Sequence, residues 1–154
     1  MLNPGDPAPE VTLTMPDGSR RPLSEWRGKP LVLYFYPKDD TAGCTAEAQD
    51  FTALIGDFAA AGAAVLGVSK DTPAKHGKFI AKYDLKVALA SDVDDSVCEA
   101  FGTWVEKSMY GRTYMGIERA TFLIDAAGRI ARIWRKVKVK GHAEEVLTAV
   151  RALG

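Results

Sequence analysis

The chain of 154 residues sets 20 basic against 20 acidic side chains and is 47% hydrophobic, 9% aromatic and 26% charged. A length of this order fits one domain, read here as residues 1–154, because domains commonly hold roughly 100–200 residues and such a chain can bury most of its apolar surface. The charge balance offers no global field for nucleic acid or a membrane surface, and no apolar stretch approaches the ~18 residues of a membrane span. The opening MLNPGDPAPE lacks the basic-then-apolar pattern of a secretory leader, so a cytoplasmic location is expected. Two cysteines, Cys44 and Cys98, are too few for a disulfide framework and have no CxxC spacing. With only His76 and His142 beside them, no structural zinc site is expected.

Pro4, Pro7 and Pro9 suit an extended lead-in, and Val11 to Thr14 alternates like a strand before the turn Pro16-Asp17-Gly18, so a short hairpin should open the fold. Leu23 to Trp26 reads as a helical turn. Leu31 to Tyr36 is an unbroken apolar run between Pro30 and Pro37, the pattern of a buried strand. Ala42 to Ala61 carries Phe51, Leu54, Ile55 and Phe58 at helical spacing and ends near Gly62. Ala63 to Val68 is the next strand. Ser69, Asp71 and Thr72 before Pro73 mark the start of a helix over 73–83, with Phe79, Ile80 and Tyr83 on one face. Val87 to Ala90 follows as a short strand, and Asp92 to Phe101 as a short helix turning Val93, Val97, Cys98 and Phe101 inward. Trp104 to Tyr114 fits either a loop or a small hairpin. Ala120 to Ile124 and Ile130 to Val139 read as strands around Asp125-Ala126-Ala127-Gly128, and Gly141 to Leu153 as a terminal helix. This order predicts an α/β sandwich, a mixed sheet with helices on both faces.

Cys44 falls just after a strand, in or near the first turn of a helix. Unpaired backbone N–H groups and the positive end of the helix dipole favour an anionic sulfur there, which makes Cys44 a candidate nucleophile. A lone cysteine is more often a small buried hydrophobe; the helix start and the flanking Thr41 and Pro37 favour the functional reading. Thr41 is also a candidate helix cap, Pro37 a strand terminator and Tyr36 a packing residue.

Pro37, Thr41 and Cys44, in PKDDTAGC, resemble the active-site signature of the peroxiredoxins, and DVDDSVCEAFG, WVEKSMYGRTYMGIERATFLID and the DAAGRI turn resemble their bacterioferritin-comigratory or Q-type subfamily over nearly the whole chain. The resemblance implies a thioredoxin-like fold and reduction of hydrogen peroxide and organic hydroperoxides by the Cys44 thiolate, with no metal or other cofactor. It implies that Thr41 presents its hydroxyl to the sulfur or the peroxide, that Pro37 limits water access, and that Arg119 favours the thiolate and steadies charge in the transition state. Glu47 and Tyr36 are implied as supporting residues, with Glu47 orienting Arg119. The same resemblance suggests a monomer. A dithiol oxidoreductase is the nearest rival, but Thr41-Ala42-Gly43-Cys44 lacks the second sulfur of CxxC.

Q-type members often carry a resolving cysteine five residues beyond the reactive one, where this chain has Gln49, or in the following helix, where Ile80 stands. Only Cys98 remains, and its place on the apolar side of a short helix favours a buried thiol over a resolving one. One-cysteine behaviour is therefore expected, with Cys44 sulfenic acid returned by glutathione, glutaredoxin or thioredoxin and open to over-oxidation by excess peroxide. The basic run from Arg129 to Lys140 is read as protection of a sheet edge rather than a nucleic-acid face. His76 and His142 are read as exposed residues near helix starts, without a role.

Overall fold

The computed structural model describes residues 1–153. Strands β1 (Thr12–Thr14), β2 (Arg20–Pro22), β3 (Leu31–Phe35), β4 (Ala64–Ser69), β5 (Ala88–Ser91), β8 (Ala120–Ile124) and β9 (Ile130–Trp134) form one sheet in the order β2-β1-β5-β4-β3-β8-β9. The pairs β3–β4 and β4–β5 are parallel and the others antiparallel, so the sheet is mixed. Helices α1 (Ala42–Ala53), α2 (Ile55–Ala60), α3 (Pro73–Tyr83), α4 (Ser96–Ala100) and α5 (His142–Leu153) pack on it, and β6 (Trp104–Met109) with β7 (Arg112–Ile117) makes a separate hairpin. The thioredoxin-like α/β arrangement is the one expected.

Central strand β3 divides the core. Its even positions, Val32 and Tyr34, point into a cluster with Cys44, Phe51, Phe58, Phe79 and Val146 under α1, α2, α3 and α5. Its odd positions, Leu31, Leu33 and Phe35, point into a second cluster with Val97, Cys98 and Phe101 of the α4 region. This is the period-2 alternation of a strand covered on both faces, and it explains why LVLYF reads as an unbroken apolar run. All five residues are buried. Gly67 on β4 leaves room for Tyr34, since a Cβ there would lie 2.6 Å from the ring.

Several boundaries differ from expectation for local reasons. The helix over 42–61 is interrupted at Leu54, whose N–H is shared between the Asp50 and Phe51 carbonyls. Helix α4 starts at Ser96 rather than Asp92, because the Asp92 carboxylate is spent accepting the Val97 and Cys98 N–H groups. Strand β9 ends at Trp134 instead of Val139: Lys136 turns to a left-handed φ of 47°, and Glu118 accepts both the Arg135 side chain and the Lys136 N–H. The undecided segment after Trp104 is a hairpin closed by Tyr110 and Gly111 at φ 52° and 76°, the two positive values a tight two-residue turn demands. The expectation for the histidines is overturned. His76 is fully buried and His142 is 7% exposed, each with hydrogen-bond partners inside the protein.

Candidate active site

Cys44 lies on the third residue of α1, after Thr41 at the N-cap with an extended backbone (φ −92°, ψ 156°). The Thr45 N–H bonds the Thr41 carbonyl at 2.8 Å, the first turn of the helix. By helix geometry the N–H groups of Ala42, Gly43 and Cys44 lack intrahelical acceptors, so this end attracts negative charge. The sulfur is not on an open surface: Cys44 is 1% exposed, packed in the cluster beneath β3.

A cation reaches it. Arg119, between β7 and β8, donates from Nη2 to the Cys44 Sγ at 3.4 Å and from Nη1 to Glu47 Oε1 at 2.7 Å. Antiparallel pairing of β8 with β3 brings Ala120 opposite Phe35, so the residue before β8 meets the residues that follow β3. Gly43 permits the approach, because a Cβ there would stand 3.1 Å from Arg119 Nη2. Glu47 is one helical turn beyond Cys44 and 1% exposed. Burial pushes its pKa up to about 7 even though Arg119 pulls it down. Burial works to lower the pKa of Arg119, but Glu47 and Cys44 outweigh it and leave the value raised. Glu47 Oε2 and the Tyr34 hydroxyl are buried without hydrogen-bond partners. Burial raises the Tyr34 phenol well above its ordinary range, and Glu47 and Cys44 act in the same direction.

The structure thus brings Cys44, Arg119 and Glu47 together. Pro37 is partly exposed at the end of β3, in the segment leading to Cys44. Thr41 does not cap α1 through its side chain; its hydroxyl donates to the Lys38 carbonyl at 2.9 Å instead. Tyr36 is more than packing, since its hydroxyl donates to Asp39 at 2.6 Å. Lys107 on β6 is a further neighbour: burial and Arg119 lower its pKa, while Cys44 opposes them. Sequence reading missed Gly43 and Lys107. Gly43 lay inside the quoted motif, and the signal was a glycine in a helical first turn where it has no backbone need. No periodicity pointed to Lys107.

Cys98 stands apart. It is fully buried on the other face of the sheet, its N–H held by Asp92 Oδ2 at 2.8 Å. Burial foremost, with the Asp92 carboxylate adding to it, pushes its thiol well above the ordinary range.

The description "AhpC/TSA family" matches residues 4–133. Peroxiredoxin Bcp of Bacillus subtilis is 48% identical over 147 residues, covering 96% of this chain and 94% of that one. A solved Xanthomonas campestris bacterioferritin comigratory protein, studied for alkyl peroxide reduction, superposes with a TM-score of 0.88 at 46% identity over 93% of this chain and 91% of its own. A cysteine-to-serine mutant of Xylella fastidiosa PrxQ gives 0.93 at 42% identity, over 99% and 98%. A buried cysteine at a helix start under an arginine, on this sheet, accords with that kinship: the chain belongs to the AhpC/TSA family, as a thiol-dependent peroxidase of the peroxiredoxin Bcp or Q kind.

Proposed function

We propose that Cys44 is the sulfur this peroxidase oxidises, that Arg119, Thr41 and Pro37 serve it, and that the cycle uses one cysteine and an external thiol. The observation that carries the reading is the Arg119 guanidinium bridging Cys44 Sγ and Glu47 at the N-terminal turn of α1. The Cys44 thiolate attacks one peroxide oxygen, the O–O bond breaks, and its electron pair leaves on the second oxygen, which takes a proton. Sulfenic acid and water or an alcohol result. Charge moves from sulfur to the departing oxygen, so a fixed cation beside the sulfur stabilises both ends of the displacement. Thr41 has committed its own proton to Lys38, which leaves its oxygen free to accept the O–H of a hydroperoxide. Pro37, through its rigid ring, limits water access to the sulfur. Hydrogen peroxide and organic hydroperoxides are the substrates; alkyl peroxide reduction by the Xanthomonas relative supports the second.

The one-cysteine cycle is supported by the sheet between the two sulfurs. A disulfide needs Cα atoms within about 7 Å, whereas Cys44 and Cys98 belong to clusters on opposite faces of β3. Glutathione, glutaredoxin or thioredoxin attacks the sulfenic acid, forming a mixed disulfide that a second thiol releases. The enzyme acts in the cytoplasm as a monomer.

The test is steady turnover of Cys98→Ser with each reductant. The expected outcome is turnover close to wild type with at least one of them, while Cys44→Ser gives none. Loss of turnover in Cys98→Ser with the first peroxide reduction intact would make Cys98 the resolving thiol and end the one-cysteine reading.

A further inference from the structure

The segment that carries the chain from β3 to Cys44 is anchored by a buried polar network with no part in the steps above. Asp39 is 8% exposed, Asp71 is 9% exposed and His76 is fully buried. Both oxygens of the Asp39 carboxylate are engaged: Oδ1 accepts the Tyr36 hydroxyl at 2.6 Å, and Oδ2 lies 2.6 Å from His76 Nδ1. His76 Nε2 lies 3.0 Å from the Ala90 carbonyl oxygen. A carbonyl only accepts, so Nε2 carries a proton, and the Nδ1–Oδ2 contact holds another, whichever atom owns it. The Asp39 N–H donates to Asp71 Oδ2 at 2.8 Å, and the Ser69 hydroxyl donates to the same oxygen at 2.7 Å. The Ser91 hydroxyl donates to the Asp71 carbonyl at 2.6 Å. Asp39, Asp71 and His76 are close enough to suggest a cation site. His76 Nδ1 and Asp39 Oδ2 are instead paired with each other, and Asp71 Oδ2 accepts from the Asp39 N–H and the Ser69 hydroxyl.

Asp39 is therefore fastened to β5 and α3 through His76 and to the end of β4 through Asp71. The next residue, Asp40, is held in a left-handed conformation (φ 61°) and bonded to Lys82 and Tyr83 of α3. Aspartate enters this region more readily than most non-glycine residues, and here its side chain is also held by α3. The chain from Pro37 to Thr41 is thus pinned on both sides, and α1 starts from that pinned point. With Cys44 1% exposed, the sulfur of a protein thiol has no route to it in this arrangement. Access for the reductant requires the first turn of α1 and this segment to move.

We propose that Asp39 and His76 are positioning residues for the peroxidase reaction: their buried pairing fixes Pro37 to Thr41 so that Cys44 stays seated beside Arg119 during peroxide attack, and its breakage opens Cys44 to a bulky thiol. The proposal rests on Cys44 as the reacting sulfur. It requires effects of opposite sign, slower oxidation by peroxide and faster access for large reagents.

The test uses His76→Gln and Asp39→Asn, with Ser91→Ala as a milder third. Reduced proteins are exposed to a bulky maleimide, and Cys44 and Cys98 are followed separately by peptide mass. Cys98, in the opposite cluster, is an internal control for general loosening. Expected is Cys44 modification roughly tenfold or more faster than in wild type, the scale of a lost buried hydrogen bond, with Cys98 unchanged and the peroxide rate constant reduced. Ser91→Ala should move the same way by less, and serves if the other two fail to fold. Equal acceleration at both cysteines, or no change at Cys44, would overturn the proposal. If Cys44→Ser kept its turnover, the functional reading would fail while the labelling result stood by itself.

Discussion

Cys44 and Cys98 are both buried free thiols in one small protein, and their neighbours make them different chemical objects. Cys44 has a guanidinium at 3.4 Å and the open end of a twelve-residue helix. Cys98 has its own burial first and then the Asp92 carboxylate against ionisation, and that carboxylate uses both oxygens on the backbone of α4. A cation therefore faces the first sulfur, while the surroundings of the second oppose its ionisation. Both thiols are buried, and the charge beside each differs in sign between the two faces of the sheet.

The sharpest way to break this contrast is to remove the cation. Arg119→Met should lower the rate constant for peroxide by roughly 10²–10³, the range found when one preorganised donor is lost from a transition state, with nothing changed at Cys98. The measurement is stopped-flow tryptophan fluorescence under pseudo-first-order peroxide. A loss of less than about threefold would show that the helix end suffices and that Arg119 is a structural partner of Glu47. The variant should also cost stability, because it leaves Glu47 buried without its counter-ion.

A finer test separates two buried titrating groups, Glu47 and His142. Glu47 has a folded pKa of about 7 against 4.5 unfolded, so between those values the folded state holds the extra proton and stability falls as pH rises. Burial lowers His142 to about 4 from 6.5, so its contribution is complete above pH 6.5 and is lost as pH falls toward 4. The trends oppose each other, each worth up to about 3 kcal/mol at 1.36 kcal/mol per unit. Glu47→Gln should remove the first and expose the second. Denaturant midpoints from pH 7 to pH 5 should therefore fall more steeply in Glu47→Gln than in wild type. Parallel profiles would show that Glu47 titrates alike in the folded and unfolded chains.

Much of this was legible before any coordinates. The LVLYFY run, the Thr72-Pro73 start of α3 and the PKDDTAGC motif each carry a local signal strong enough to place an element or a nucleophile, and the Arg119 contact followed from the resemblance. The polar network was not legible. His76 and Asp39 lie 37 positions apart and meet because α3 brings His76 to the segment that follows β3, so neither residue type nor spacing announced a buried pair. The ends of β9 and α4 were misjudged for a related reason: Glu118 and Asp92 recruit backbone N–H groups that periodicity alone assigns to the element. Thr41 shows the limit of residue-type reasoning, since a threonine at an N-cap usually bonds its own helix and this one bonds Lys38.

In the proposed cycle Cys44 alone of the two thiols reacts with peroxide and finds no partner within the chain. Its most direct test is the intact and peptide mass of the reduced protein quenched after one equivalent of hydrogen peroxide, with dimedone present to trap sulfenic acid. The account predicts one dimedone adduct on Cys44, an unmodified Cys98 and, at higher peroxide, two or three oxygens on Cys44. A Cys44–Cys98 disulfide, or an adduct at Cys98 with Cys44 intact, would contradict it.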